Sequence, residues 1–166
     1  MSIQIGDAIP EIALKHIHDG VRVIDTPTLF SGRNVVMFAG PGAFTPTCSE
    51  RHLPGYIEHF DAFRKRGVDV VCIAVNDPFV MQAWGESAGV PDGLQMISDG
   101  NADLVRAMGL EMDGSAYGMG LRARRFALYA EDGVVRRLFI EAPGEFRVSS
   151  AEHVLAELDG TGAGSR

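Results

Sequence analysis

The 166-residue sequence holds only two cysteines, Cys48 and Cys72. A disulfide framework needs more in so short a chain, and a chain of this length buries a core without staples. In a reducing compartment each cysteine is therefore core packing, a metal ligand or a working thiol. Basic residues are also in the minority, 15 against 22 acidic ones, for a formal net charge of -7. An acidic chain repels phosphate backbones, so nucleic acid is not an expected partner. No apolar run reaches the roughly 18 residues of a membrane span. The first seven residues lack a charged segment followed by an apolar one, so a cytoplasmic location is expected. Repeats, linkers and low-complexity blocks are absent too. Residues 1–166 are expected to form one domain, with 161–166, small and polar, as a frayed tail.

What is present alternates between two periods. Glu11 to His18 and Val21 to Thr26 flank Asp19-Gly20, a type I′ signal, which predicts an N-terminal β-hairpin. The apolar runs Asn34 to Ala39 and Val68 to Val75 read as buried strands, and Met96 to Ser98 as a shorter one. Leu53, Tyr56, Ile57 and Phe60 fall at helical spacing. Pro54 should kink that helix, because its ring collides with the carbonyl of Glu50. Asp77-Pro78 supplies an N-cap and first-turn proline for a helix to about Ala88. A helix is predicted from Ala102 to Met108, stopped by Gly109. Arg125 to Ala130 and Val134 to Ile140 flank Glu131-Asp132-Gly133 as a second hairpin. A last helix is predicted from Ser149, with Glu152 completing a capping box, to Gly160. Helices following three central strands in turn imply an α/β domain with a mixed sheet covered on both faces.

The chemistry is expected in Pro41-Gly-Ala-Phe-Thr-Pro-Thr-Cys48, between the end of a central strand and the first turn of a helix. With Thr45 as N-cap and Pro46 as N1, Cys48 is the third helical residue. Its sulfur then meets unpaired N–H groups at the positive end of the helix dipole, and both favour thiolate. Ionisation alone is a small gain. A free cysteine is already a few per cent ionised at pH 7, so complete ionisation adds only about 30-fold. The larger requirement is to stabilise negative charge moving from sulfur onto a departing oxygen. Thr45 offers a hydroxyl on the same turn, and the N–H of Gly42 or Cys48 offers a donor to the second oxygen. Arg122, Arg124 and Arg125 offer a cation. Neighbouring strand residues point to opposite faces, so only one of Arg124 and Arg125 is expected to face the pocket, and periodicity does not say which.

Pro41-x-x-x-Thr45-x-x-Cys48 resembles the active-site signature of peroxiredoxins, and PGAFTPTCSERHLPGY, Pro41 to Tyr56, is similar to their type II, or peroxiredoxin-five-like, subfamily. The similarity continues through VNDPFVMQAW, RRFALY and the stretch from Phe139 to Glu152. The resemblance implies a thioredoxin-like fold and a thiol peroxidase acting on hydrogen peroxide and organic hydroperoxides, with no cofactor and no metal. Cys48 would be the nucleophile that becomes a sulfenic acid, Pro41 would shield it, and Thr45 would orient the peroxide. The family arginine directly precedes an aromatic residue, here Phe126, and so maps to Arg125. Phe44, Pro78 and Phe79 would lie near a homodimer face. No cysteine follows Cys72, which sits within an apolar strand. A one-cysteine cycle is therefore expected, regenerated by glutathione, glutaredoxin or another external thiol such as thioredoxin.

The plainer readings differ by residue. Cys48 has polar, Gly and Pro neighbours, which do not suit a buried hydrophobe, whereas Cys72 reads as core packing. His52 and His59 lack a third ligand and read as surface or packing histidines; Glu50 and Glu58 read as solvated charges. Gly118 to Ala123 has the form GxGxxA, but a strand follows instead of the helix that pyrophosphate binding requires. Two other functions remain at this point. A thiol–disulfide oxidoreductase would normally show C-x-x-C, yet position 45 is threonine. A redox sensor or holdase would react once with peroxide and stop.

Overall fold

In the computed structural model, which describes residues 2–160, the apolar run of β3 (Asn34–Ala39) is an interior strand of a seven-stranded mixed sheet. Val35, Met37 and Ala39 point into one buried layer, Val36 and Phe38 into the other. Burial on both faces is why the segment is continuously hydrophobic instead of alternating. Parallel to β3 runs β4 (Val68–Ala74), and parallel to β4 runs β5 (Gln95–Ser98).

On the other side of β3 the chain closes with the antiparallel pair β8 (Phe126–Glu131) and β9 (Val134–Ile140). Their two-residue turn has Asp132 and Gly133 at positive φ, as type I′ geometry requires. The N-terminal hairpin, β1 (Ala13–Ile17) and β2 (Val21–Asp25), is also present. Ile17 pairs with Val21, so its loop is three residues and not the expected two. It joins the rest of the sheet by pairing Lys15 with Ser98.

The helices cover both faces. Leu29 and Phe30 of α1 (Thr26–Phe30) pack on one, together with Leu104, Val105 and Met108 of α5 (Asp103–Met108). The other face carries α2 (Leu53–Glu58), α3 (Phe60–Lys65), α4 (Pro78–Ala88) and α6 (Ala151–Asp159). A thioredoxin-like α/β fold results. A small separate sheet, β6 (Glu111–Asp113) with β7 (Leu121–Ala123), was not anticipated. It places a strand before the GxGxxA segment, but no helix follows, so that segment still lacks the phosphate-binding context. None of the helices is long and apolar enough to cross a membrane, among the described residues. The expected tail, 161–166, lies outside them.

Two local expectations need correction. The helix before α2 widens into a π-helical turn, Cys48–His52, in which the Leu53 N–H bonds the Cys48 carbonyl five residues back. Pro54 has no N–H and crowds the preceding turn, and the wider coil lies at the turn its ring would crowd. At the other end, α6 is capped by Ser150, whose hydroxyl accepts from the His153 N–H at 3.1 Å, not by Ser149. Ser149 is buried, with its N–H and hydroxyl both held by the Glu141 carboxylate. The helix therefore starts one residue later, and Glu152 is out of register for a capping box.

Candidate active site

The end of β3 delivers Gly40 and the loop from Pro41 to Thr45 to the rim of the sheet, and the helix starting at Pro46 carries Cys48. Asp77, the N-cap of α4, follows Asn76, whose side-chain oxygen accepts from the Ala43 N–H at 2.8 Å. The loop is held on its far side by Arg122 of β7, which donates through Nε to the Met119 carbonyl and through Nη1 to the Pro41 carbonyl. A Cβ on Gly42 would meet that Nη1 at 2.5 Å, so a larger residue there would have to shift the guanidinium.

Cys48 is 1% exposed. Nη1 of Arg125 donates to its Sγ at 3.4 Å. The Thr45 hydroxyl donates to the Gly42 carbonyl at 2.7 Å, and the Ser49 N–H closes the first helical turn on the Thr45 carbonyl. Thr45 thus starts the helix through its backbone, and its side chain folds back on the loop instead of capping. With its proton committed to Gly42, the hydroxyl oxygen presents lone pairs to an incoming O–H. Among the described residues no protein acceptor takes the N–H of Gly42 or of Cys48.

The three arginines divide their work. Arg125 alone reaches the sulfur, Arg122 clamps Pro41, and Arg124 donates to the Glu141 carbonyl at 3.2 Å. Strand alternation was expected to turn Arg124 and Arg125 to opposite faces. In fact β8 begins at Phe126, Arg125 occupies a bend, and both line the same cavity of about 290 Å³. Pro41, Thr47, Met112 and Phe146 also line it, and Cys48 adjoins it through Arg125.

Several residues here have contacts with the site that the sequence did not assign. His52, read as surface or packing, is 2% exposed and bonds Arg125. Its place four residues after Cys48, on the same side of a helix, was the available signal. Glu141 is buried and gathers the N–H groups of Arg147, Val148 and Ser149. Burial would raise its pKa, but the Ser149 hydroxyl and these N–H donors prevail and hold it below the ordinary value. Gly40 packs directly behind the sulfur. His59 instead pairs with Glu152 at 3.6 Å, and Glu50 and Glu58 are exposed.

Cys72 faces the same core layer as Cys48, opposite Phe38 in the β3–β4 register, and is 1% exposed. Burial, and then the nearby Cys48, push its pKa well above the usual thiol value, so it stays a protonated thiol. Both cysteines are free. Phe44 and Phe79 are 54% and 63% exposed, and Pro78 opens α4 as expected. Phe44 adopts φ of 64°, an unusual conformation for an aromatic residue that turns its ring outward.

Residues 4–155 match the Redoxin family. Among curated proteins, rice chloroplastic peroxiredoxin-2E-2 is 48% identical over 95% of this chain and 73% of its own. Arabidopsis peroxiredoxin-2B is 40% identical over 94% of this chain and 98% of its own. Among solved structures, reduced Prx3 of Vibrio vulnificus in complex with hydrogen peroxide superposes with a TM-score of 0.90. It is 45% identical and covers 94% of this chain and 99% of that one. A cysteine at a helix start with an arginine on its sulfur, on this fold and with these relatives, places the chain in the peroxiredoxin family, thiol peroxidases of antioxidant defence.

Proposed function

We propose that this peroxiredoxin reduces hydrogen peroxide and organic hydroperoxides through a sulfenic acid at Cys48 and is regenerated by an external thiol. The observation that carries the reading is the Arg125 guanidinium donating at 3.4 Å to the sulfur of a buried Cys48. The Cys48 thiolate attacks the terminal oxygen of the hydroperoxide. An S–O bond forms, the O–O bond breaks, and the departing alkoxide takes a proton to leave as an alcohol, or as water from hydrogen peroxide. Negative charge moves from sulfur to the leaving oxygen, and Arg125 with the Cys48 N–H is placed to stabilise it. The Thr45 oxygen accepts from the peroxide O–H and so sets the line of attack, while Pro41 lines the adjoining cavity and the Gly42 N–H offers a further donor. The relative that binds hydrogen peroxide supports the same substrate here.

The sulfenic acid needs a second thiol, and Cys72 is buried and protonated. That favours a one-cysteine cycle of the type II kind. Glutathione or a glutaredoxin attacks the Cys48 sulfur, water leaves, and a mixed disulfide forms. A further thiol then releases reduced Cys48 and the oxidised reductant. Exposed Phe44 and Phe79, with Pro78, suit a homodimer face, and a cytoplasmic setting would supply the reductant.

The test is titration of reduced protein with one equivalent of hydrogen peroxide, followed by intact mass. One added oxygen at Cys48, with turnover once glutathione and glutaredoxin are supplied, is expected. Peroxide consumption by Cys48→Ser at the wild-type rate would refute the reading, and a strict requirement for Cys72 would refute its one-cysteine form.

A further inference from the structure

His52 is surrounded by the rings of Phe38, Tyr56 and Phe146, yet both its nitrogens have polar partners. Nε2 lies 3.1 Å from the Ser149 carbonyl oxygen, and Nδ1 lies 3.1 Å from Nη1 of Arg125. A carbonyl only accepts and a guanidinium only donates, so the two partners assign the tautomer. The hydrogen is on Nε2, and Nδ1 offers a lone pair to the same arginine nitrogen that donates to Cys48 Sγ. Nη1 carries two hydrogens, one for each acceptor.

The neutrality of this acceptor is the important property. An arginine steadied by a carboxylate has much of its field cancelled by that partner. The buried carboxylate that lines the same cavity as Arg125, Glu141, is kept occupied by the N–H groups of Arg147, Val148 and Ser149 and by the Ser149 hydroxyl. Those bonds also set the segment whose Ser149 carbonyl receives His52 Nε2–H and the Tyr56 hydroxyl, the latter at 2.8 Å. Burial, and then Arg125, lower the histidine pKa to about 3, so the ring is uncharged at neutral pH.

We propose that His52 is a positioning residue for peroxide reduction, holding Arg125 Nη1 against the Cys48 sulfur by a lone pair that leaves the guanidinium charge undiminished. The proposal rests on Cys48 as nucleophile and Arg125 as its cation.

The test compares two single-turnover reactions of Cys48: with hydrogen peroxide, and with iodoacetamide at a pH where alkylation has reached its plateau. Only the first puts charge on a departing oxygen that Arg125 must meet. His52→Leu should slow the peroxide reaction by about 10- to 100-fold, the scale of a misplaced catalytic group, and change plateau alkylation far less. His52→Asn, whose amide oxygen takes the place of Nδ1, should recover most of the rate. His52→Gln, whose amide follows Nε2, should not, and this pair decides the matter should the leucine variant fail to fold. In an Arg125→Met background, the His52 substitutions should add little. A wild-type peroxide rate in His52→Leu, equal rates for Asn and Gln, or a full additional loss in the Arg125→Met background would overturn the proposal. Peroxidase activity in Cys48→Ser would instead remove the reading beneath it.

Discussion

Gly40 backs so closely onto Cys48 that a Cβ there would lie 2.6 Å from the sulfur and 2.9 Å from Arg125 Nη1. A methyl group at this point must displace one of the two atoms between which charge is shared. Gly40→Ala is therefore expected to slow the reaction with hydrogen peroxide by about 100-fold, the cost of roughly 1 Å of misplacement. The overpacking should cost about 1–3 kcal/mol of stability, leaving the protein folded. Stopped-flow rates, read beside a urea melt, check both. A fast, folded Gly40→Ala protein would mean that the sulfur has room to move without consequence.

Arg124 and Arg125 border one cavity but differ in what they touch. Removing the guanidinium in Arg125→Met should cost about 10²–10³ in the peroxide rate constant, as for the loss of one transition-state donor. Arg124→Met, which loses a bond to the Glu141 carbonyl, should stay within a few-fold of wild type. The same kinetic assay on both variants separates them. Comparable losses would show that the cavity needs charge of one sign and not a placed donor.

Sequence reading located the strands, the Cys48 helix and the Pro41–Cys48 loop because each has a local cause: buried runs, proline at a helix start, glycine at a turn. It failed where distant residues decide. The β1 turn gained a residue through strand register, and Ser149 lost its cap to Glu141, eight positions away in sequence. Strand alternation could not separate Arg124 from Arg125, because β8 starts one residue after the bend that frees them both. His52 was read only as a surface or packing histidine for a related reason. A histidine's function depends on its partners, and Arg125 and Ser149 are 73 and 97 residues away.

Cys72 gives a prediction about the other half of the cycle. Its thiol is enclosed in the sheet-facing core and protonated, so Cys72→Ala should keep full turnover with glutathione and glutaredoxin. Its cost should appear in stability instead, about 1 kcal/mol for one small group deleted from a packed core. Intact mass of peroxide-treated wild type should show no loss of two hydrogens from an internal disulfide before reductant is added. Turnover that disappears with Cys72 would place the resolving thiol inside the chain.

His52 also ties stability to pH, with a sign that follows from its burial. Unfolded, the ring takes a proton near 6.5; folded, it resists until about 3. Between those values the unfolded chain binds one more proton, so stability is fully present above 6.5 and falls as pH drops, by about 1.4 kcal/mol per unit from this group. The depressed Glu141 carboxyl acts in the same direction at lower pH: its contribution is present above its ordinary value of 4.5 and is lost as pH falls through its folded value. His52→Asn removes only the first effect. From pH 7 to pH 5, wild type should therefore lose about 2 kcal/mol more than His52→Asn, measured by urea unfolding of each at both pH values. Equal losses would mean that the folded ring accepts a proton without penalty. Arg125 would then face a second cation where the present geometry gives it a lone pair.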